Sequence, residues 1–152
     1  MSINFLYLCC CMDKLERVVF YKLDKAIKTY RQFAQKRMNE AGLAITIDQW
    51  LVLHAIEDKP GIAQLEIADY VFKDAASVTR IIELLIKKGY LERQENKDRR
   101  RFTLELTAEG KAMTMQVNKV AEQNRSIALK GISDEKLQQL NQTLISIIDN
   151  CQ

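Results

Sequence analysis

Residues 63–110 read AQLEIADYVFKDAASVTRIIELLIKKGYLERQENKDRRRFTLELTAEG, and the pattern within them decides the fold. Val78, Ile81, Ile82, Leu85 and Ile86 recur at three and four residues and form the apolar stripe of a helix, with Ser77, Arg80 and Lys87 facing the other way. Asp74 is a good N-cap for a helix over 75–88, Lys87 and Lys88 suit the negative end of its dipole, and Gly89 stops it. Upstream, 64–71 reads as a shorter helix that buries Leu65, Ile67, Ala68 and Val71 and gives way to the turn Phe72-Lys73-Asp74. Downstream, 90–94 and 102–106 alternate, with Leu91, Phe102, Leu104 and Leu106 facing the core. The polar segment 95–101 joins them into a β-hairpin whose tip is Lys97-Asp98-Arg99-Arg100-Arg101.

Helix, turn, helix and basic hairpin in that order make a winged helix-turn-helix, a shape that puts one helix in a DNA groove. The charge distribution agrees. The whole chain carries only +3, but residues 73–101 hold nine Lys or Arg against five acids, so this segment is +4 and the remainder is −1. A positive excess confined to the reading helix and wing is the footprint of a phosphate-binding face.

Outward from this centre the chain is mostly helix, as one Pro and five Gly in 152 residues suggest. Over 12–41 the positions Leu15, Val18 or Val19, Leu23, Ala26, Ile27, Tyr30, Phe33 and Ala34 follow helical spacing for about seven turns. Gly42 is placed to end that helix, and Thr46 to cap another over 47–58. Asp58-Lys59-Pro60-Gly61 is a turn, and Ile62 is expected as a lone strand residue pairing with the wing. After the hairpin, Thr107 caps a long helix to about residue 130, through Met113, Val117, Val120 and Ile127. Ser133 caps a last helix with a stripe of Leu137, Leu140, Leu144, Ile148 and Cys151, and Ile132 can staple onto Leu137.

The fold class expected is therefore mainly α with a small β-hairpin wing. Its parts are an N-terminal arm or start-site extension over 1–11, a dimerisation helix over 12–45, the winged helix-turn-helix over 46–110, and C-terminal dimerisation helices over 111–152. The first helix and the last two carry more apolar surface than a small winged helix buries. A twofold dimer with interdigitated terminal helices resolves this and sets two reading helices one duplex turn apart, matching a pseudo-palindromic site.

Apolar and charged fractions of 47% and 28% are those of an ordinary soluble domain. There is no apolar run of transmembrane length, and residues 1–11 lack the basic start and small-residue cleavage site of a signal peptide, so a cytoplasmic protein without membrane contact is expected. Adjacent Cys9, Cys10 and Cys11 cannot provide the spaced pairs that zinc needs. They read either as reduced thiols on a mobile terminus or as redox-sensing groups. Enzymes are disfavoured: His54 is the only histidine, no glycine-rich phosphate loop exists, and no metal-ligand set or cofactor motif is visible.

Four elements at the right spacing resemble the MarR family of winged-helix regulators: Ser77-Val78-Thr79-Arg80, Leu85-Ile86-Lys87-Lys88-Gly89-Tyr90-Leu91, Asp98-Arg99-Arg100 and Leu106-Thr107-Ala108-Glu109-Gly110. The resemblance extends over nearly the whole chain from Met12. It implies a homodimeric regulator of transcription, usually a repressor, that binds double-stranded DNA and is often released by a small apolar or phenolic effector. It further implies that Arg100 enters the minor groove with Asp98 orienting it, a placement that suits a guanidinium in a narrow electronegative groove. Arg99 and Arg101 are then phosphate contacts or solvated neighbours, with Lys97 and Lys73 on the same basic face.

Ser77 and Thr79 lie in the first turn, where hydroxyls and free amides meet phosphate or base edges. Arg80 reaches guanine, or pairs with Glu83. Phe72 stands where many members carry Gly in the turn. His54 either lines an effector pocket with Trp50, Tyr30 and Phe33 as walls, or is a core residue with a satisfied ring. The alternatives to a DNA-binding regulator are a winged-helix module that binds protein and a thiol-based redox sensor using Cys9, Cys10 and Cys11.

Overall fold

The computed structural model describes residues 15–95 and 102–152. After a 3₁₀ turn at Leu15–Arg17 come α1 (Val19–Glu40), α2 (Ile47–Asp58), α3 (Gln64–Tyr70), α4 (Ala75–Lys87), β1 (Leu91–Glu95), β2 (Phe102–Leu106), α5 (Ala108–Ala128) and α6 (Asp134–Asp149). Strands β1 and β2 pair antiparallel from Leu91 opposite Leu106 to Glu95 opposite Phe102. This is a winged helix-turn-helix set between long terminal helices.

Local chemistry explains the helix starts. Thr46 and Gln49 form a reciprocal capping box at α2: the Gln49 amide donates to Thr46 Oγ1 at 3.2 Å and the Thr46 amide to Gln49 Oε1 at 3.3 Å. Asp74 caps α4 and Thr107 caps α5 through their side chains, whereas Ser133 occupies the N-cap of α6 without a side-chain bond. The helix expected over 12–41 is broken: a 3₁₀ turn ends at Arg17, and α1 begins after an extended Val18 that offers no capping oxygen. Ile62 is not a strand residue, because the turn before it engages its amide, which donates to the Lys59 carbonyl at 3.1 Å.

The core is gathered around α2, α4 and the hairpin. Val52, Leu53, Ile67, Val78, Leu85, Leu91 and Val117 are fully or almost fully buried. Two expected core residues are not in it. Leu65 is 70% exposed, because α3 is only two turns long and its buried side is filled by Ile67 and Ala68; Phe102 is 51% exposed, at the hairpin's far end beyond the last covering helix. The Phe102 ring instead carries the Arg93 guanidinium 4.8 Å from its centroid.

The turn between α3 and α4 closes without glycine. Phe72 takes φ +54°, the one left-handed non-glycine among the described residues, while its amide donates to Asp69 O and the Lys73 amide to Ala68 O. Its ring is 95% exposed, so nothing in the packing repays the backbone strain. Phe72→Gly is therefore expected to raise stability by about 0.5–1 kcal/mol, the left-handed penalty less the extra chain entropy of glycine. Denaturant titration checks this; a fall in the midpoint would show that the ring is held by contacts of its own.

No helix among the described residues is long and apolar enough to cross a membrane.

Candidate nucleic-acid interface

The reading helix α4 is fixed from its first turn. Asp74 accepts the Ser77 amide at 2.8 Å and the Ser77 hydroxyl at 2.6 Å, bonds that hold its carboxyl below the usual carboxylate range. The Ser77 hydroxyl proton is thus committed, and its oxygen remains available only as an acceptor. Thr79 is turned into the fold: its hydroxyl donates to Ala75 O at 2.8 Å and accepts from Gln64 Nε2 at 2.5 Å. Gln64 thereby joins the first residue of α3 to the face of α4. No spacing rule in the sequence singles it out, since its partner lies one helix away.

Arg80 is exposed and makes no ion pair with Glu83 or any other acid among the described residues. It is the long cation that α4 offers to solvent, with Lys87 two turns further along. The two other lysines flanking α4 point elsewhere. Lys73 Nζ lies 3.0 Å from Asp48 Oδ2, and Asp48 Oδ1 takes the Arg31 guanidinium. Lys88 Nζ donates to Ala44 O at 2.6 Å and Gln49 Oε1 at 3.0 Å. The basic excess of the segment is therefore partly used within the protein, and Lys73 is held in an ion pair with Asp48.

Burial alone would raise the Asp48 carboxyl, but hydrogen bonds and charge from Lys73 and Arg31 outweigh it and lower its pKa. A carboxyl lowered on folding stabilises the protein above its unfolded pKa and loses that contribution as pH falls through the folded value. Wild type should therefore be more stable than Asp48→Asn at pH 6, and the gap should close on acidification below about 4, the ordinary Asp range. Parallel thermal melts across pH 3–6 (roughly the span of carboxyl titration) check it; a gap that widened on acidification would invert the assignment.

Lys97, Asp98, Arg99, Arg100 and Arg101 lie outside the described residues, as do Cys9, Cys10 and Cys11. The base of the wing is well defined. The Thr107 hydroxyl donates to Gly89 O at 2.6 Å and accepts the Gly110 amide at 3.0 Å, and the Thr107 amide donates to Tyr90 O at 3.2 Å. The end of α4, the foot of the hairpin and the start of α5 are thus tied at one point.

The four residues expected to share an effector pocket divide into two pairs. Tyr30 and Phe33 line a groove of about 440 Å³ with Ala26, Thr29, Ile127 and Ala128, between α1 and the end of α5. Trp50 and His54 do not line it. Trp50 Nε1 donates to Asn118 Oδ1 at 3.1 Å, and the His54 ring packs edge-on against the indole at 5.7 Å. Both are half-buried on α2, and Trp50 faces α5 through that bond. Periodicity puts the four on helix faces but does not say which faces meet. Among the described residues no group of three or more His, Cys, Asp or Glu is placed to hold a metal ion.

A family model describing the MarR family matches residues 41–101, from the end of α1 through both helices of the helix-turn-helix and across the hairpin connection. This segment is a MarR-family domain. Solved MarR-like structures extend the likeness over the terminal helices. The chain is similar to Bordetella bronchiseptica BpsR, whose DNA binding is regulated by 6-hydroxynicotinic acid, at 22% identity and TM-score 0.79 over 90% of this chain and 96% of that one. It is similar to Escherichia coli MarR in its apo form, at 22% identity and TM-score 0.71 over 86% and 96%. A Listeria innocua protein of unknown function matches at 28% identity and TM-score 0.68 over 87% and 91%. The fold that these structures share thus accounts for the long α1, α5 and α6 as well as for the matched segment.

Proposed function

We propose that this chain is a homodimeric transcriptional repressor that reads a pseudo-palindromic operator, with α4 in the major groove and the wing over 95–101 in the minor groove. The observation that carries the reading is the division of α4. Its apolar face is buried through Val78, Ile82 and Leu85, while Arg80 and Lys87 stand exposed on a segment holding the chain's positive excess. A winged-helix module for protein partners would have no need of that charge. The dimer is supported by α6, in which no residue is buried although Leu140, Ile145 and Ile148 are exposed.

A small apolar or phenolic effector is supported by the Tyr30 and Phe33 groove and by the regulation of BpsR by 6-hydroxynicotinic acid. In this reading Arg80 contacts base edges, Ser77 accepts at the groove floor, and Arg100 makes the minor-groove contact with Asp98 orienting it.

Arg100→Ala is expected to cost roughly 1–3 kcal/mol of operator affinity, about 5- to 150-fold, with an unchanged melting temperature. Anisotropy titrations at fixed salt on duplexes selected from genomic fragments measure it. Affinity equal to wild type would remove Arg100 from the interface, and failure of the wild-type protein to retain any duplex would overturn the DNA-binding reading.

A further inference from the structure

The short segment from Ala44 to Gln49 is gripped from two sides. From α1, Arg31 pairs with Asp48, and Gln35 donates to Ile45 O at 3.1 Å while accepting the Ile47 amide at 2.9 Å. From α4, Lys73 reaches Asp48 from one residue ahead of the N-cap, and Lys88, the C-cap, reaches Ala44 O and Gln49 Oε1. A helix of 13 residues is about 20 Å long, and both its ends are fastened to the same strip of chain that α1 holds through Arg31 and Gln35.

The two oxygens of Asp48 divide the task, Oδ1 toward the terminal helix and Oδ2 toward the reading helix. Its side chain and that of Lys73 are each 31% exposed. Ion pairs with that much solvent access add little to stability, commonly under about 1 kcal/mol. What such a bridge does supply is a fixed geometry between elements that otherwise share few buried contacts. We infer that Asp48 is a positioning residue: through Lys73 and Arg31 it locks the angle of α4 to α1, and so sets the separation of the two reading helices in a dimer.

The consequence for DNA rests on the reading proposed above, whereas the bracket itself is testable without DNA. Wild type and variants would be titrated on duplexes that wild type selects from a random-sequence library. Three forms of each duplex are needed: two half-sites, one half-site, and two half-sites with one base pair inserted or removed between them. Asp48→Asn is expected to lose at least tenfold on the two-half-site duplex and less than twofold on the single half-site, and to accept the altered spacings that wild type rejects. Lys73→Ala should behave likewise, and Lys73→Arg should restore the wild-type spacing profile.

Equal losses on both duplexes, or an unchanged spacing profile, would overturn the inference. So would tighter binding with a steeper salt dependence, which would make Lys73 a phosphate contact restrained by Asp48. The second measurement is amide hydrogen exchange in Arg31→Ala, which alters α1 alone. The first turn of α4 should exchange at least threefold faster, although Arg31 touches it only through Asp48 and Lys73. Unchanged exchange overturns the bracket even if DNA binding is as proposed. If wild type selects no duplex, the DNA reading fails and the exchange result alone decides the bracket.

Discussion

Gly110→Ala is expected to destabilise the protein by about 3 kcal/mol, the upper end of the overpacking range. At this chain length that lowers the melting temperature by roughly 6–12 °C. The sign is not obvious, because Gly110 lies in α5, where alanine would ordinarily gain about 0.5–1 kcal/mol over glycine. Geometry reverses it. A Cβ at Gly110 would stand 2.1 Å from the Tyr90 carbonyl oxygen and 3.0 Å from its carbon. Both are backbone atoms, and that carbonyl already accepts the Thr107 amide.

Relief requires the start of α5 to move away from Tyr90, which breaks the bonds joining Thr107 to Gly89 and Tyr90. The foot of the hairpin should loosen along with the fold, so under the proposed function duplex affinity is expected to fall even at temperatures where the variant is folded. Thermal melts and titrations on one preparation separate the two effects. A melting temperature at or above wild type would show that the helix start shifts freely and that the close approach is dispensable.

Replacing Leu140 and Ile148 together by Asp is expected to dissociate the dimer proposed above. Both are exposed on α6, a helix with no buried residue of its own. Each aliphatic side chain removed from an interface costs about 1.5–3 kcal/mol. Burying two carboxylates in their place adds to that, so the dissociation constant should rise by at least two orders of magnitude, roughly 3 kcal/mol or more. Sedimentation equilibrium measures it directly. A dimer of unchanged affinity would place the interface elsewhere on the terminal helices.

Most elements were legible because their ends are written in local chemistry. Thr46 and Asp74 start α2 and α4 where a capping oxygen is available, and the apolar stripe from Val78 to Leu85 is buried as its spacing requires. Depth was less legible than face. Phe102 lies on the same side of β2 as Leu104 and Leu106, yet it extends past the covering helices, and periodicity carries no measure of where a core ends.

The fate of long side chains was the least legible. Lys73 reads as part of a basic DNA-facing run and Lys88 as a cation at the helix's C-terminal end, but their partners Asp48, Ala44 and Gln49 come from a segment far back in the chain. The pairing of Trp50 with Asn118 likewise joins residues 68 positions apart and follows only from the packing of α2 on α5.

Helix α5 runs unbroken for 21 residues, from the Thr107 tie at the foot of the hairpin to Ile127 and Ala128 at the groove beside Tyr30 and Phe33. At 1.5 Å per residue that is a rod of about 32 Å. It is held at its start by the Thr107 tie and midway by the Trp50 bond to Asn118, so it acts as a stiff strut. The foot of the hairpin and the groove beside Tyr30 and Phe33 are therefore joined by a single stiff member.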